Sequence, residues 1–173
     1  PVLKWVGGKR KIDDIIQSAI DTISSPFTYY EPFFGGGAIF FSLYSQGLIK
    51  HAYLNDVVPQ VVNFYNVLGE QSTRDILKKD VKKIEKKFNN LNKDVAKRKK
   101  EYIKFREDFN DSWERFNLEP NSELQAKLAA QFLALNKIGF NGMFRVNSKG
   151  RFNIPMGSPV EKKLFDEKNI DAA

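Results

Sequence analysis

Residues 27–47 read FTYYEPFFGGGAIFFSLYSQG, and their order decides how the rest of the chain is read. Phe27 to Phe33 is an aromatic, β-prone run that predicts a buried strand. It enters Gly35, Gly36 and Gly37, after which Ala38, Phe40, Phe41, Leu43 and Tyr44 predict a helix ending near Gly47. A glycine-rich turn between strand and helix lets backbone amides approach a ligand closely, and the helix N-terminus favours an anionic group. His51 to Leu54 predicts a second short strand, ending at Asn55 and Asp56. An acidic residue ~20 positions beyond the glycine turn can accept hydrogen bonds from both ribose hydroxyls of a nucleoside cofactor, and Asp56 is placed for that.

This order indicates a nucleoside ligand better than it indicates which one, because nicotinamide, flavin and S-adenosylmethionine enzymes share it. The G-x-G-x-x-G spacing of dinucleotide binders fails, since Phe40 stands where the third glycine belongs. The upstream segment KWVGGK, Lys4 to Lys9, is no phosphate loop either: residues 2–6 hold no earlier glycine, and Arg10 follows the lysine where a Ser or Thr is needed.

Outward from this centre, Ile12, Ile15, Ile16, Ala19, Ile20 and Ile23 follow helical spacing up to Ser24, Ser25 and Pro26. Pro59 suits the first turn of a helix carrying Val61, Val62, Tyr65 and Leu68. From Ser72 to about Trp113 a sparse apolar stripe in a Lys, Glu, Asn and Asp background predicts two charged helices with solvated faces. Ser122 and Gln125 form a capping-box pattern ahead of a helix that ends at Gly139. Residues 140–158, FNGMFRVNSKGRFNIPMGS, predict a hairpin turning near Ser148 to Gly150.

Lys and Arg outnumber Asp and Glu by 28 to 21, a formal charge of +7 that favours a polyanionic partner without identifying it. The chain has no cysteine and one histidine, His51. That removes disulfides, thiolate zinc sites and cysteine nucleophiles from these residues, and makes a histidine-rich metal site improbable, so no metal is expected. No apolar run approaches the ~20 residues of a membrane span, and a cytoplasmic protein is expected.

KWVGGK near the start, EPFFGGGA at Glu31 to Ala38, LND at Leu54 to Asp56, and NKIGFNGMFRVNSKGRFNIPMG at Asn136 to Gly157 occur in one order. Together they resemble the Dam-type, D12 class, S-adenosylmethionine-dependent DNA adenine-N6 methyltransferases. The similarity covers both ends of the chain, and only the charged stretch from about 72 to 120 carries no recognisable motif. The resemblance implies an α/β fold: part of a Rossmann-like S-adenosylmethionine sheet, with a mainly helical DNA-recognition insertion containing a β-hairpin. Residues 1–70 would form the N-terminal part of the cofactor domain, 71–158 the target-recognition insertion, and 159–173 the return towards the catalytic domain.

By the same resemblance, Trp5 and Lys9 would lie close to S-adenosylmethionine, with Glu31, Phe33, Gly35, Gly37 and Asp56 completing the cofactor site. Lys4, Phe140, Asn141, Met143, Arg145 and Pro155 would contact double-stranded DNA. Phe140 would insert into the duplex, Asn141 would meet the base left without a partner, and Arg145 would pair bidentately with guanine O6 and N7. Met143 and Pro155 would touch a thymine methyl, giving a GATC-like target. Ser158 departs from members that carry a basic residue there. Methylation of an exocyclic amine needs no thiolate, which agrees with the lack of cysteine. The family's catalytic Asp-Pro-Pro-Tyr is absent, because the seven prolines never occur as a pair. The expectation is therefore the front portion of a longer enzyme, inactive by itself, with a non-catalytic DNA-binding module as the alternative.

Overall fold

The computed structural model describes residues 2–8, 13–20, 22–23, 26–91, 94–158, 163–164 and 166–171. Helix α1 (Asp13–Ile20) precedes strand β1 (Phe27–Glu31), helix α2 (Ala38–Ser45) and strand β2 (Ile49–Leu54). Ile12, Ser24 and Ser25 from the predicted first helix and its end lie outside the described residues. The two strands pair in parallel, Tyr29 opposite Ala52 and Glu31 opposite Leu54, which is the strand, glycine turn, helix, strand unit read from the sequence. β1 stops two residues earlier than predicted because Pro32 has no N–H to offer a ladder. Two further bonds carry the pairing past its end, Asn55 N–H to the Glu31 carbonyl and Phe34 N–H to the Asn55 carbonyl, both 2.9 Å.

The prediction that this first strand is buried is corrected. One face of the sheet packs on Ile20, Ile39 and Leu43, with Phe27, Tyr29 and Ile49 around them. The other carries Tyr30 and Tyr53, 69% and 61% exposed, stacked with ring centroids 4.9 Å apart. In β1 exposed and covered residues alternate up to Glu31, whereas in β2 every residue after Ile49 is exposed.

Among the described residues five α-helices follow: α3 (Pro59–Gly69), α4 (Gln71–Asn90), α5 (Val95–Leu118), α6 (Ser122–Ile138) and the short α7 (Glu167–Asp171). Pro59 does occupy the first turn of α3. The charged stretch forms the two predicted helices, α4 and α5, whose apolar stripes (Leu77, Val81, Phe88; Tyr102, Phe105, Phe109) are buried. They pack around α6, which is buried on nearly every side from Ala126 to Ile138 and forms the axis of the main core together with Val61, Phe64 and Leu68 of α3. Each such Leu or Phe contributes on the order of 1.5–3 kcal/mol by burial. The outer faces pair their charges, Lys83 with Asp80 within α4 at 2.8 Å and Lys82 with Glu167 of α7 at 2.5 Å.

The cap of α6 is Asn121 and not Ser122, since the Asn121 carboxamide accepts from the Leu124 N–H at 2.8 Å. Gly139 closes the helix for a reason other than a left-handed turn: its φ is −63°, but a Cβ there would lie 2.5 Å from the Leu135 carbonyl oxygen. The hairpin turns where predicted, with Gly150 N–H donating to the Asn147 carbonyl at 2.9 Å. Its limbs meet at the antiparallel bridges Gly139 to Met156 and Val146 to Phe152 without forming regular strands. The outgoing limb begins as a single 3-10 turn, Phe140–Gly142, in which Asn141 has a φ of +53°.

Candidate functional site

The N-terminal loop has no secondary structure, so side chains must hold it. Asn136, buried near the end of α6, does this as a strand partner would: its Oδ1 accepts from the Lys4 N–H at 2.9 Å, and its Nδ2 donates to the Lys4 carbonyl at 2.7 Å. The same Nδ2 donates to the Gly142 carbonyl at the root of the hairpin at 3.1 Å. Next to it, Lys137 Nζ donates to the Val2 carbonyl at 2.6 Å. Burial and then the charge of Lys4 bring the Lys137 ammonium down to about 8.

Anchored in this way, the loop faces the glycine turn. Trp5 lies against Gly35 so closely that a Cβ on Gly35 would sit 2.6 Å from Cδ1 and 2.7 Å from Nε1 of the indole. On its other flank Trp5 stacks on Phe144, centroids 6.2 Å apart. Between loop and turn is a cavity of about 650 Å³ lined by Lys4, Trp5, Gly7 and Gly8 on one side, by Glu31, Phe33, Phe34 and Gly35 on the other, and by Lys137. Glu31 is buried in this wall and accepts from the Tyr29 hydroxyl at 2.9 Å. Burial, followed by the bond to Glu31 and its charge, raises the Tyr29 phenol, so Tyr29 stays a neutral donor. Phe33 is 71% exposed at the cavity's edge.

Gly37 stands behind the turn and outside this lining, where a Cβ would lie 2.5 Å from the Phe34 ring and 2.8 Å from that of Phe41. Asp56 is placed differently from a residue that waits only for ribose. Its Oδ2 accepts from the Gly35 N–H at 2.7 Å and its Oδ1 from the Val58 N–H at 2.9 Å. The carboxylate thus ties the glycine turn to the start of α3, and each oxygen keeps a second lone-pair direction for another donor. It also lines a second cavity of about 270 Å³ with Phe34, Tyr65 and Asn66. The Tyr65 hydroxyl is buried there without a hydrogen-bond partner among the described residues, and its phenol is raised by burial and then by the charges of Asp56 and Glu31.

Of the residues expected at a cofactor site, Trp5, Glu31, Phe33 and Gly35 share one cavity, Gly37 and Asp56 support its turn, and Lys9 lies outside the described residues. Lys4 is in the cavity wall beside Lys137. Of those expected to meet DNA, Phe140 is 49% exposed, and Asn141, Arg145 and Pro155 are exposed. Met143 is half-buried against the main core. Arg145 Nε donates to Asn153 Oδ1 at 2.9 Å. Sequence reasoning gave no site role to Asn136 and Lys137, which open the segment quoted for the resemblance, or to Tyr65, which it placed on the apolar stripe of its helix, because nothing in the residue type or its position marks a buried hydrogen-bonding role. Among the described residues there is no group of three or more His, Cys, Asp or Glu that could hold a metal ion, and no helix long and apolar enough to cross a membrane.

The family model described as D12 class N6 adenine-specific DNA methyltransferase matches residues 5–173. The chain is 35% identical over 173 residues to Type II methyltransferase M.MjaIII of Methanocaldococcus jannaschii, covering 98% of this chain and 56% of that protein. It is 30% identical to Type II methyltransferase M1.LlaDCHI of Lactococcus lactis subsp. cremoris, covering 99% of this chain and 52% of the relative. A DNA adenine methylase of Vibrio cholerae is 32% identical, with 98% and 51% covered. The chain therefore spans about half the length of the curated relatives it matches. With the match running from Trp5 of the N-terminal loop through the glycine turn and the hairpin, this chain belongs to the D12 class of N6 adenine-specific DNA methyltransferases.

Proposed function

We propose that these residues bind S-adenosylmethionine and read double-stranded DNA, so that the intact protein transfers a methyl group to adenine N6 at a GATC-like site. The observation that carries this reading is the convergence of the Lys4 to Gly8 loop and the Glu31 to Ala38 turn on one cavity, with the hairpin rooted on the same loop through Asn136.

The donor set fits the cofactor. A cavity of about 650 Å³ is in the range of small-molecule sites. Its aromatic walls, Trp5, Phe33 and Phe34, suit the flat and apolar parts of a nucleoside. Glu31 is a buried carboxylate for the ligand's ammonium, and Lys4 and Lys137 line the same cavity and supply cations for its carboxylate. Asp56 lines the second cavity, which shares Phe34 with the first, and retains acceptor capacity for ribose hydroxyls there. The bound cofactor supplies a methyl group activated on a sulfonium. The chain's own residues orient it: Asp56 fixes the Gly35 amide, Gly35 seats the Trp5 indole, and Trp5 walls the cavity against water.

On this reading β1, α2 and β2 begin a Rossmann-like sheet, residues 1–70 belong to the cofactor domain, 71–158 to the DNA-recognition insertion and 159–173 to the return, and the protein works in the cytoplasm. Phe140 enters the duplex, Asn141 meets the unpaired base, Arg145 reads guanine, and Met143 and Pro155 flank a thymine methyl. The test uses the intact protein with S-adenosylmethionine and a GATC duplex, followed by mass analysis of the nucleosides. N6-methyladenine is expected. A protein that binds duplex and S-adenosylhomocysteine without transfer is a binding module, and one that binds neither refutes the reading.

A further inference from the structure

Helix α5 lies in the charged stretch that carries no motif recognised in the sequence but falls inside the matched residues 5–173, and it runs beside the returning limb of the hairpin and holds its backbone. Tyr102 Oη donates to the Ile154 carbonyl at 3.0 Å. Asn110 Nδ2 donates to the Phe152 carbonyl at 3.1 Å while its Oδ1 accepts from the Phe152 N–H at 2.8 Å, so this one side chain satisfies Phe152 as a neighbouring strand would. Both residues are buried. Alongside them, Arg151 of the hairpin is gripped by Asp111 at 2.7 Å, Glu114 at 2.6 Å and Glu107 at 3.1 Å. Tyr102, Arg106 and Asn110 recur every four residues and Glu107, Asp111 and Glu114 run beside them, so both rows lie on one side of the helix.

The held limb in turn holds Arg145. Asn153 N–H donates to the Arg145 carbonyl at 3.1 Å, and Asn153 Oδ1 accepts from Arg145 Nε at 2.9 Å. With Nε engaged, the two terminal nitrogens of the exposed guanidinium are those left to face a base edge, the geometry of a bidentate pair with guanine. An Asn153 shifted by a fraction of a hydrogen-bond length would turn that fork away. The carboxylates also occupy Arg151, so this cation sits in a helix contact in place of a phosphate contact.

We propose that α5 is a specificity-positioning element: Tyr102 and Asn110 fix the returning limb of the hairpin, and Asn153 passes that position on to Arg145. The inference rests on the reading of the hairpin as the base-reading element. It is tested with the intact protein by binding to a GATC duplex and a scrambled duplex, taking the ratio of the two affinities, with S-adenosylhomocysteine affinity measured in parallel. Arg145→Ala lowers the ratio about tenfold or more, as loss of a bidentate base contact should. Asn110→Leu lowers it about three- to tenfold, and Tyr102→Phe, which keeps the ring and removes one hydroxyl, about two- to threefold, both being fractions of that same contact. Scrambled-duplex and S-adenosylhomocysteine affinities stay within about twofold, because phosphate and cofactor contacts are untouched.

Combining Asn110→Leu with Arg145→Ala costs no more discrimination than Arg145→Ala alone, since the first acts through the second. If Arg145→Ala lowers the ratio while Tyr102→Phe and Asn110→Leu leave it unchanged, α5 only supports the fold and the inference is overturned. Losses that multiply in the double variant overturn it as well. If Arg145→Ala itself has no effect, the base-reading assignment fails and this inference with it.

Discussion

Replacing Gly35 by Ala probes the contact on which the cavity is built. Gly35 has a φ of +52°, and a Cβ there would meet the Trp5 indole at 2.6 Å and 2.7 Å, distances at which one group must move. The left-handed backbone costs an alanine about 1–2 kcal/mol. Displacing Trp5 from its stack on Phe144 forfeits about 0.5–1.5 kcal/mol more. The sum is about 1.5–3.5 kcal/mol, or roughly 3–14 °C in Tm for a chain of this size. Gly47→Ala separates the two effects, because Gly47 has a φ of +72° with nothing within 4 Å of the added carbon. It bears the backbone cost alone. Thermal melting gives the stabilities, tryptophan emission in a Trp113→Phe background reports on Trp5, and calorimetry with S-adenosylhomocysteine reads the site. Gly35→Ala should melt below Gly47→Ala, shift the Trp5 emission and weaken the ligand about tenfold, whereas Gly47→Ala leaves emission and affinity alone. Equal melting of the two variants with unchanged Trp5 emission would refute the argument that Gly35 is required by the indole.

Asp56→Ala removes the acceptor of two backbone amides as well as a proposed ribose partner. It should cost about 2–4 kcal/mol by denaturant unfolding and also weaken S-adenosylhomocysteine, and a variant as stable as the parent would show that the Gly35 and Val58 amides do not need this carboxylate. Lys137 gives a pH signature, because its folded value of about 8 lies below the ordinary 10.5. The folded state disfavours its proton, so the penalty is full below pH ~8 and is relieved as pH rises towards ~10.5. The stability difference between the parent and Lys137→Met should therefore move in the parent's favour between pH 7 and pH 9.5 in urea melts, and a pH-independent difference would contradict the burial of its charge.

Much of this architecture can be read along the chain because it rests on local chemistry. Glycines that open a turn, a proline that opens α3, and an Asn-Ser-Lys-Gly corner that turns a hairpin each act on their own backbone. Asp56 was legible as a position, at the end of a strand some ~20 residues past the turn. Its bond to the Gly35 amide was not, since that depends on how the end of β2 is laid beside the turn, whereas the Val58 amide two residues on is a local contact. The exposure of Tyr30 and Tyr53 was hidden for a related reason: aromatic residues on both faces of a strand read as burial, and only the packing shows which face is covered.

The residues that join the two halves of the site were the least legible. Asn136 and Asn110 are buried amides that stand in for missing strands, one holding the N-terminal loop and the hairpin root, the other the hairpin's returning limb. In sequence an Asn is read as a turn or surface residue, so this use of it leaves no pattern to find. Its consequence is steric as well as polar. Held by Asn136, Lys4 lies so near Gly142 that a Cβ there would be 2.5 Å from the Lys4 Cβ. The loop that closes the proposed cofactor cavity and the hairpin proposed to read DNA therefore share one fixed point, and a displacement of either at that point must be accommodated by the other.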